Sequence, residues 1–94
     1  MYYNAQEIGV RVRHLRAQRN MSQEEFAEFI GISRIYVAKI ETGTGYPSID
    51  VLIDIAERTG VSMDYLIFGR MNAKDVKAEL RNVISLLSEI EKML

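Results

Sequence analysis

The chain has 94 residues, 48% of them hydrophobic and 27% charged, a composition that suits one small core and leaves stability open to help from association. It contains no Cys and a single His, which excludes disulfides and cysteine-based metal sites, so neither a metal nor another cofactor is expected. A formal net charge of −1 excludes attraction of nucleic acid by the molecule as a whole, and any duplex contact needs a local basic face.

The opening MYYNAQEI has no charged and then apolar leader, and no apolar run approaches the roughly 20 residues of a membrane span. A cytoplasmic location is the expectation. Asn4 and Glu7 have the spacing of a capping box, opening a first helix that turns Ile8, Val12 and Leu15 inward and leaves Arg11, Arg13, Arg16 and Arg19 to its other faces. His14 falls at the surface of that helix, and Asn20 and Met21 form the link that follows.

Residues 21–43, MSQEEFAEFIGISRIYVAKIETG, carry the most information. Ser22 and Glu25 form a second capping box, and Phe26, Ala27 and Ile30 supply an apolar face. Gly31 suits a left-handed stop and Ser33 can cap a new helix from about Arg34 to Glu41. Val37 and Ile40 share one face of that helix and go inward, while Arg34, Ile35, Tyr36, Ala38 and Lys39 divide among flanks and solvent. Two short helices joined by a tight turn make a helix-turn-helix, the second helix of which is shaped to lie in a DNA major groove.

The loop TGTGYP that follows must be irregular. Ser48 caps a fourth helix with Val51, Leu52, Ile55 and Ala56 inward, Gly60 stops it, and Ser62 caps a brief fifth helix whose inward residues are read as Met63, Leu66 and Phe68. Gly69 and Arg70 close this unit. The division expected is a DNA-binding domain over 1–70 and a C-terminal helix over 71–94.

In the last segment Val76, Leu80, Val83, Leu87, Ile90 and Leu94 recur at alternating spacings of four and three, the seam of a short coiled coil. Ile84, Leu86 and Met93 widen it. Each buried Leu or Ile is worth roughly 1.5 to 3 kcal/mol, so the seam should meet something. It either folds back onto the preceding helices or pairs with the same helix of a second chain, and its regularity favours pairing and a homodimer.

The ordered set I-x-x-x-V-x-x-L-R in residues 8–16, SQEEFA in 22–27, G-I-S in 31–33, I-E-T-G in 40–43, P-S in 47–48 and LIDIAERTGVSMDYLIFG in 52–69 resembles the Cro/C1-type (Xre-like) helix-turn-helix domain of phage repressors and bacterial regulators. The resemblance implies an all-α, five-helix, lambda-repressor-like domain, here with an extra C-terminal amphipathic helix. It implies double-stranded DNA as partner and Gln23 on phosphate. By their own chemistry Arg34 is read as a guanine reader in preference to a phosphate contact or a surface ion pair, Ile35 as lying on a thymine methyl or else inward, and Tyr36 as bonding phosphate or packing on sugar. Ser33 at the start of the recognition helix, Lys39, Thr42 and Thr44 complete the DNA-binding set. Arg16 and Glu41 stand where the family has a structural ion pair that fixes the recognition helix. Many relatives place Lys, Arg or Asn in the loop after that helix, whereas TGTGYP offers hydroxyls and backbone N–H groups only. With Glu24, Glu25 and Glu28 nearby, this predicts a modest salt dependence.

The function read from these residues is a dimeric, sequence-specific transcriptional regulator, a repressor on an inverted-repeat operator. The alternative is an antitoxin or other interaction module whose C-terminal helix holds a partner protein. The acidic residues have no matched general base and no phosphate-binding glycine loop, so no catalytic residue and no enzyme is expected. No segment resembles a ligand-sensing domain, and no small-molecule ligand is expected.

Overall fold

The computed structural model describes residues 4–94. Residues 1–3, part of the stretch read above for a leader, lie outside the described residues. Six helices follow in order: α1 Ala5–Gln18, α2 Gln23–Ile30, α3 Arg34–Thr42, α4 Ile49–Thr59, α5 Met63–Phe68 and α6 Ala73–Met93. Among the described residues there is no strand, and no helix is long and apolar enough to cross a membrane.

Each helix starts at a side-chain cap. Asn4, Ser22, Ser33, Ser48, Ser62 and Asn72 all hold extended backbone angles and accept a hydrogen bond from the N–H three residues on, which satisfies one of the donors a helix start leaves orphaned. At Ser22 and Asn72 the reciprocal bond from Glu25 and Asp75 closes a full capping box. Gly31 ends α2 at φ +91°, a left-handed geometry that a side chain resists, and this lets α3 leave α2 after only three residues.

The core is continuous. Ile8, Val12 and Leu15 of α1 meet Phe26, Ala27 and Ile30 of α2, Val37 and Ile40 of α3, Val51, Leu52, Ile55 and Ala56 of α4, and Val61, Tyr65 and Leu66 around α5. One inward assignment in α5 changes. Phe68 is half-buried, with the Arg70 guanidinium 5.0 Å above its ring, whereas Met63, also half-buried, packs against the core as expected. Six residues make under two turns, so Tyr65 and Leu66 take the inward face and Phe68 falls past the edge of the core.

Two arginines of α1 and Arg19, its C-terminal cap, are part of the framework. Arg11 Nη1 donates to Leu66 O and Ile67 O at the end of α5, at 3.2 and 3.0 Å. Arg19 Nη2 donates to Thr59 O at the end of α4, 3.1 Å away, while its guanidinium lies 5.8 Å over the Phe29 ring. Both place a cation at the negative end of a helix. Burial pulls the Arg19 guanidinium below its ordinary value. Arg16 pairs with Glu41, as described below.

The last helix has two parts. Asp75 is fully buried and accepts from the backbone N–H and the hydroxyl of Ser62, Ala78 joins the core, and Gln18 bridges Glu79 and Asn82. His14 Nε2 lies 3.5 Å from Glu79 as well. Beyond Asn82 every residue of α6 is exposed. The seam residues Val76, Leu80, Val83, Leu87, Ile90 and Leu94 all face solvent, on the side of the helix turned away from the other five. The fold-back reading is therefore replaced: it is the Asp75, Ala78 and Asn82 side that docks, Asp75 on the Ser62 cap of α5, Ala78 in the core and Asn82 on Gln18 of α1.

Candidate nucleic-acid interface

The position of α3 is set first by backbone contact. Gly9 of α1 is buried, and a Cβ there would press into the carbonyl oxygens of Ile40 and Glu41, so α1 and α3 meet without intervening side chains. Glycine is what lets them do so. From this contact Val37 and Ile40 run into the core, and the opposite side of α3 is left to solvent.

Four polar side chains then tie α3 to α1 and α2. Arg16 makes a two-pronged pair with Glu41, Nε to Oε2 at 2.7 Å and Nη2 to Oε1 at 3.0 Å, and its Nη1 donates to Met21 O at 2.9 Å. The Glu41 side chain is 4% exposed and that of Arg16 17%. The hydrogen bond to Glu41, against a burial effect of opposite sign, raises the Arg16 guanidinium above its ordinary value. Gln23 Nε2 donates to Glu41 Oε1 at 3.1 Å, and Gln23 Oε1 accepts from Arg34 Nη1 at 3.4 Å. A chain of contacts thus runs from Arg16 in α1 through Glu41 and Gln23 to Arg34 at the start of α3.

The exposed side of α3 carries Arg34, Ile35 and Lys39. Ile35 is 64% exposed, which removes the inward alternative for it. Ser33, Ile35, Tyr36 and Lys39 line one shallow open hollow, an apolar floor with a cation at its edge. Arg34 lies on the other flank, beside a hollow lined by Ser22, Glu24, Glu25, Ala27, Glu28 and Ile32. The hydrogen bonds from the Ser22 backbone and hydroxyl hold the Glu25 carboxyl below its usual range, so it stays ionised there.

Several expected contact groups already have work. The Ser33 hydroxyl accepts from Tyr36 N at 3.1 Å. Tyr36 is half-buried and its hydroxyl accepts from the N–H of Ser48, 3.1 Å away, fastening α3 to the start of α4. The Thr42 hydroxyl donates to Ala38 O and Lys39 O, and Thr44 Oγ1 to Lys39 O. The N–H groups of Gly43 and Thr44 also bond back to Ile40 O and Lys39 O at the end of α3. Thr44 also lines an open hollow with Asn4, Gln6, Gly43 and Tyr46 at the start of α1.

The structure brings Gln23, Ser33, Arg34, Ile35, Tyr36 and Lys39 to one surface, with Thr42 and Thr44 at its margin. It sets Arg16 and Glu41 behind that surface. The seam residues of α6 stand elsewhere. Sequence reasoning missed Asp75 and the duties of Arg11 and Arg19. For Asp75 a signal was present, since Asn72 and Asp75 have capping-box spacing; for the arginines none was, because their acceptors lie 40 or more residues away in the chain.

A family model described as Helix-turn-helix matches residues 12–66. The HTH-type transcriptional activator BcrR of Enterococcus faecalis is 35% identical over 63 residues, which are 67% of this chain and 31% of that protein. This chain therefore spans about a third of that relative's length. The restriction-modification controller protein C.AhdI from Aeromonas hydrophila superposes with a TM-score of 0.63 at 29% identity, covering 70% of this chain and all of the other. The P22 c2 repressor, solved in complex with a synthetic operator, superposes with a TM-score of 0.65 at 25% identity, covering 69% of this chain and 98% of its own.

Proposed function

The chain belongs to the helix-turn-helix family of Cro/C1-type transcriptional regulators, and on that premise we propose that it binds double-stranded DNA in a sequence-specific manner, as a dimer on an inverted repeat, and represses by occupying the site. The observation that carries the reading is the division of α3: Val37 and Ile40 are buried, while Arg34, Ile35 and Lys39 project from a helix held by Gly9, Arg16 and Glu41. A helix so fixed can enter a major groove with its N-terminal side chains against base edges.

The roles follow from chemistry. Arg34 can give up its long bond to Gln23 and meet O6 and N7 of a guanine with both prongs. Ile35 presents a methyl-rich surface to a thymine methyl. Gln23, Lys39, the hydroxyl oxygens of Ser33 and Tyr36, and the loop with Thr42 and Thr44 serve phosphate and sugar, fixing register. With two cations in this set and several glutamates beside it, few phosphates are neutralised, and affinity should fall only gently with salt.

The test is selection of duplex sites from random sequence, followed by binding of Arg34→Ala to the selected and to unrelated duplexes. Loss confined to the selected duplex supports base reading. Equal loss on both would assign Arg34 to phosphate, and recovery of no site at all would overturn the proposal. A second reading, an interaction module such as an antitoxin that holds another protein, rests on the solvent-facing seam of α6.

A further inference from the structure

The seam of α6 contains two rows, Leu80, Leu87 and Leu94 in one and Val76, Val83 and Ile90 in the other. We propose that a second copy of this chain covers it as an antiparallel helix, with the twofold axis beside Ser85, an inference that rests on the dimer reading above. Both rows are exposed over their whole length and point away from α1 to α5, so a partner helix can lie along them without displacing the domain.

The residues flanking the rows choose the direction. In a parallel pair in register, the position before each leucine meets the position after a second-row residue five places on. Glu79 would then face the partner's Ile84, and Leu86 the partner's Glu91. Both contacts set a carboxylate against an aliphatic side chain, and Glu79 is in addition held on its own domain by Gln18 and His14.

The antiparallel arrangement removes the conflict at Glu91 and leaves Glu79 beside a flexible Met at the end of the helix in place of a branched Ile at its middle. Leu80 meets the partner's Ile90, Leu87 the partner's Val83 and Leu94 the partner's Val76, so each row packs on the other. Lys77 then faces the partner's Glu91, and symmetry repeats the pair. Ile84 meets the partner's Ile84 and Leu86 the partner's Leu86, widening the apolar seam at its middle. Glu79 keeps its bonds within the domain and lies toward the partner's Met93. Opposed helix dipoles add to the preference.

The arrangement also has a length. The domain is anchored to α6 at Asp75, ten residues before the axis, so the two anchors stand about 30 Å apart along the pair at about 1.5 Å per residue. That is close to the roughly 34 Å between half-sites one turn apart on B-DNA.

Because the chain has no Cys, introduced thiols report the geometry directly. Leu80→Cys and Ile90→Cys chains, in the full-length protein, should form a mixed disulfide when combined and none alone, since like positions lie about 15 Å apart along the axis. Light scattering on the unsubstituted chain should give a dimer mass. Leu80→Cys linking to itself would overturn the direction and leave the dimer standing. A dimer with no link in any sample would place the interface elsewhere and overturn the proposal. A monomer mass would overturn the dimer reading itself. As an independent check, Lys77→Glu should weaken dimerisation about tenfold, each paired charge contributing a few tenths to one kcal/mol, and adding Glu91→Lys should restore it; absence of restoration would overturn the pairing.

Discussion

Asp75, in the first turn of α6, accepts hydrogen bonds from both the backbone N–H and the hydroxyl of Ser62, the cap of α5. One carboxylate thereby closes its own helix start at Asn72 and holds another. Burial pushes the group up, but the bonds from Asn72 and Ser62 outweigh it and hold the carboxyl below the usual range. Asp75→Ala should cost about 1–3 kcal/mol in urea unfolding, because it strands a buried donor.

The same carboxylate makes stability depend on acid. A lowered folded value means the contribution is complete above the unfolded carboxylate value of about 3.9 and is lost as pH falls through the folded value. Unfolding curves taken from pH 7 down to pH 2 should show a decline below about pH 4 that is smaller in Asp75→Asn. An identical decline in both proteins would show that other carboxylates are responsible.

Glu41→Ala leaves the Arg16 guanidinium part-buried without its counter-charge and frees Gln23. The expected loss is on the order of 3 kcal/mol, with weaker binding to every duplex because the recognition helix is no longer fixed. A double-mutant cycle with Arg16→Ala should return a coupling of at least about 1 kcal/mol.

In the middle of a helix, replacing Gly by Ala ordinarily adds about 0.5–1 kcal/mol of stability. At Gly9 the sign should reverse, to a loss of about 1–3 kcal/mol, since the new methyl meets the carbonyls of Ile40 and Glu41. Calorimetry on Gly9→Ala would register this as a lowered Tm.

Neighbouring residues of α3 should separate binding from stability. Ile35→Ala, at an exposed position, should stay within about 0.5 kcal/mol of the parent in unfolding yet weaken binding to a selected duplex. Val37→Ala, two positions on and fully buried, should cost on the order of 2 kcal/mol.

The helices and their starts were legible because capping and apolar spacing are local: Ser22 with Glu25, and Ile8, Val12 and Leu15, carry their meaning within one or two turns. The helix-turn-helix was legible for the same reason, with Gly31 and Ser33 bounding a turn of three residues. What depended on tertiary approach was not. Arg11 and Arg19 look like surface cations until α4 and α5 present their terminal carbonyls. Tyr36 looked like a phosphate ligand, but the position of Ser48 gives its hydroxyl a structural bond as well. Phe68 shows that in a helix of six residues spacing cannot tell which end leaves the core.

The outward seam of α6 separates two kinds of inherited change. If α6 pairs two copies as proposed, substitutions at Lys77, Ile84, Leu86 or Glu91 would alter which chains assemble while leaving Arg34 and Ile35 as they are, and if Arg34 and Ile35 read bases as proposed, substitutions there would retarget the protein without altering its choice of mate. Duplicated copies of such a chain could diverge along either line independently. A pair of descendants that no longer mix through α6 could then keep separate sets of target sites within one cell.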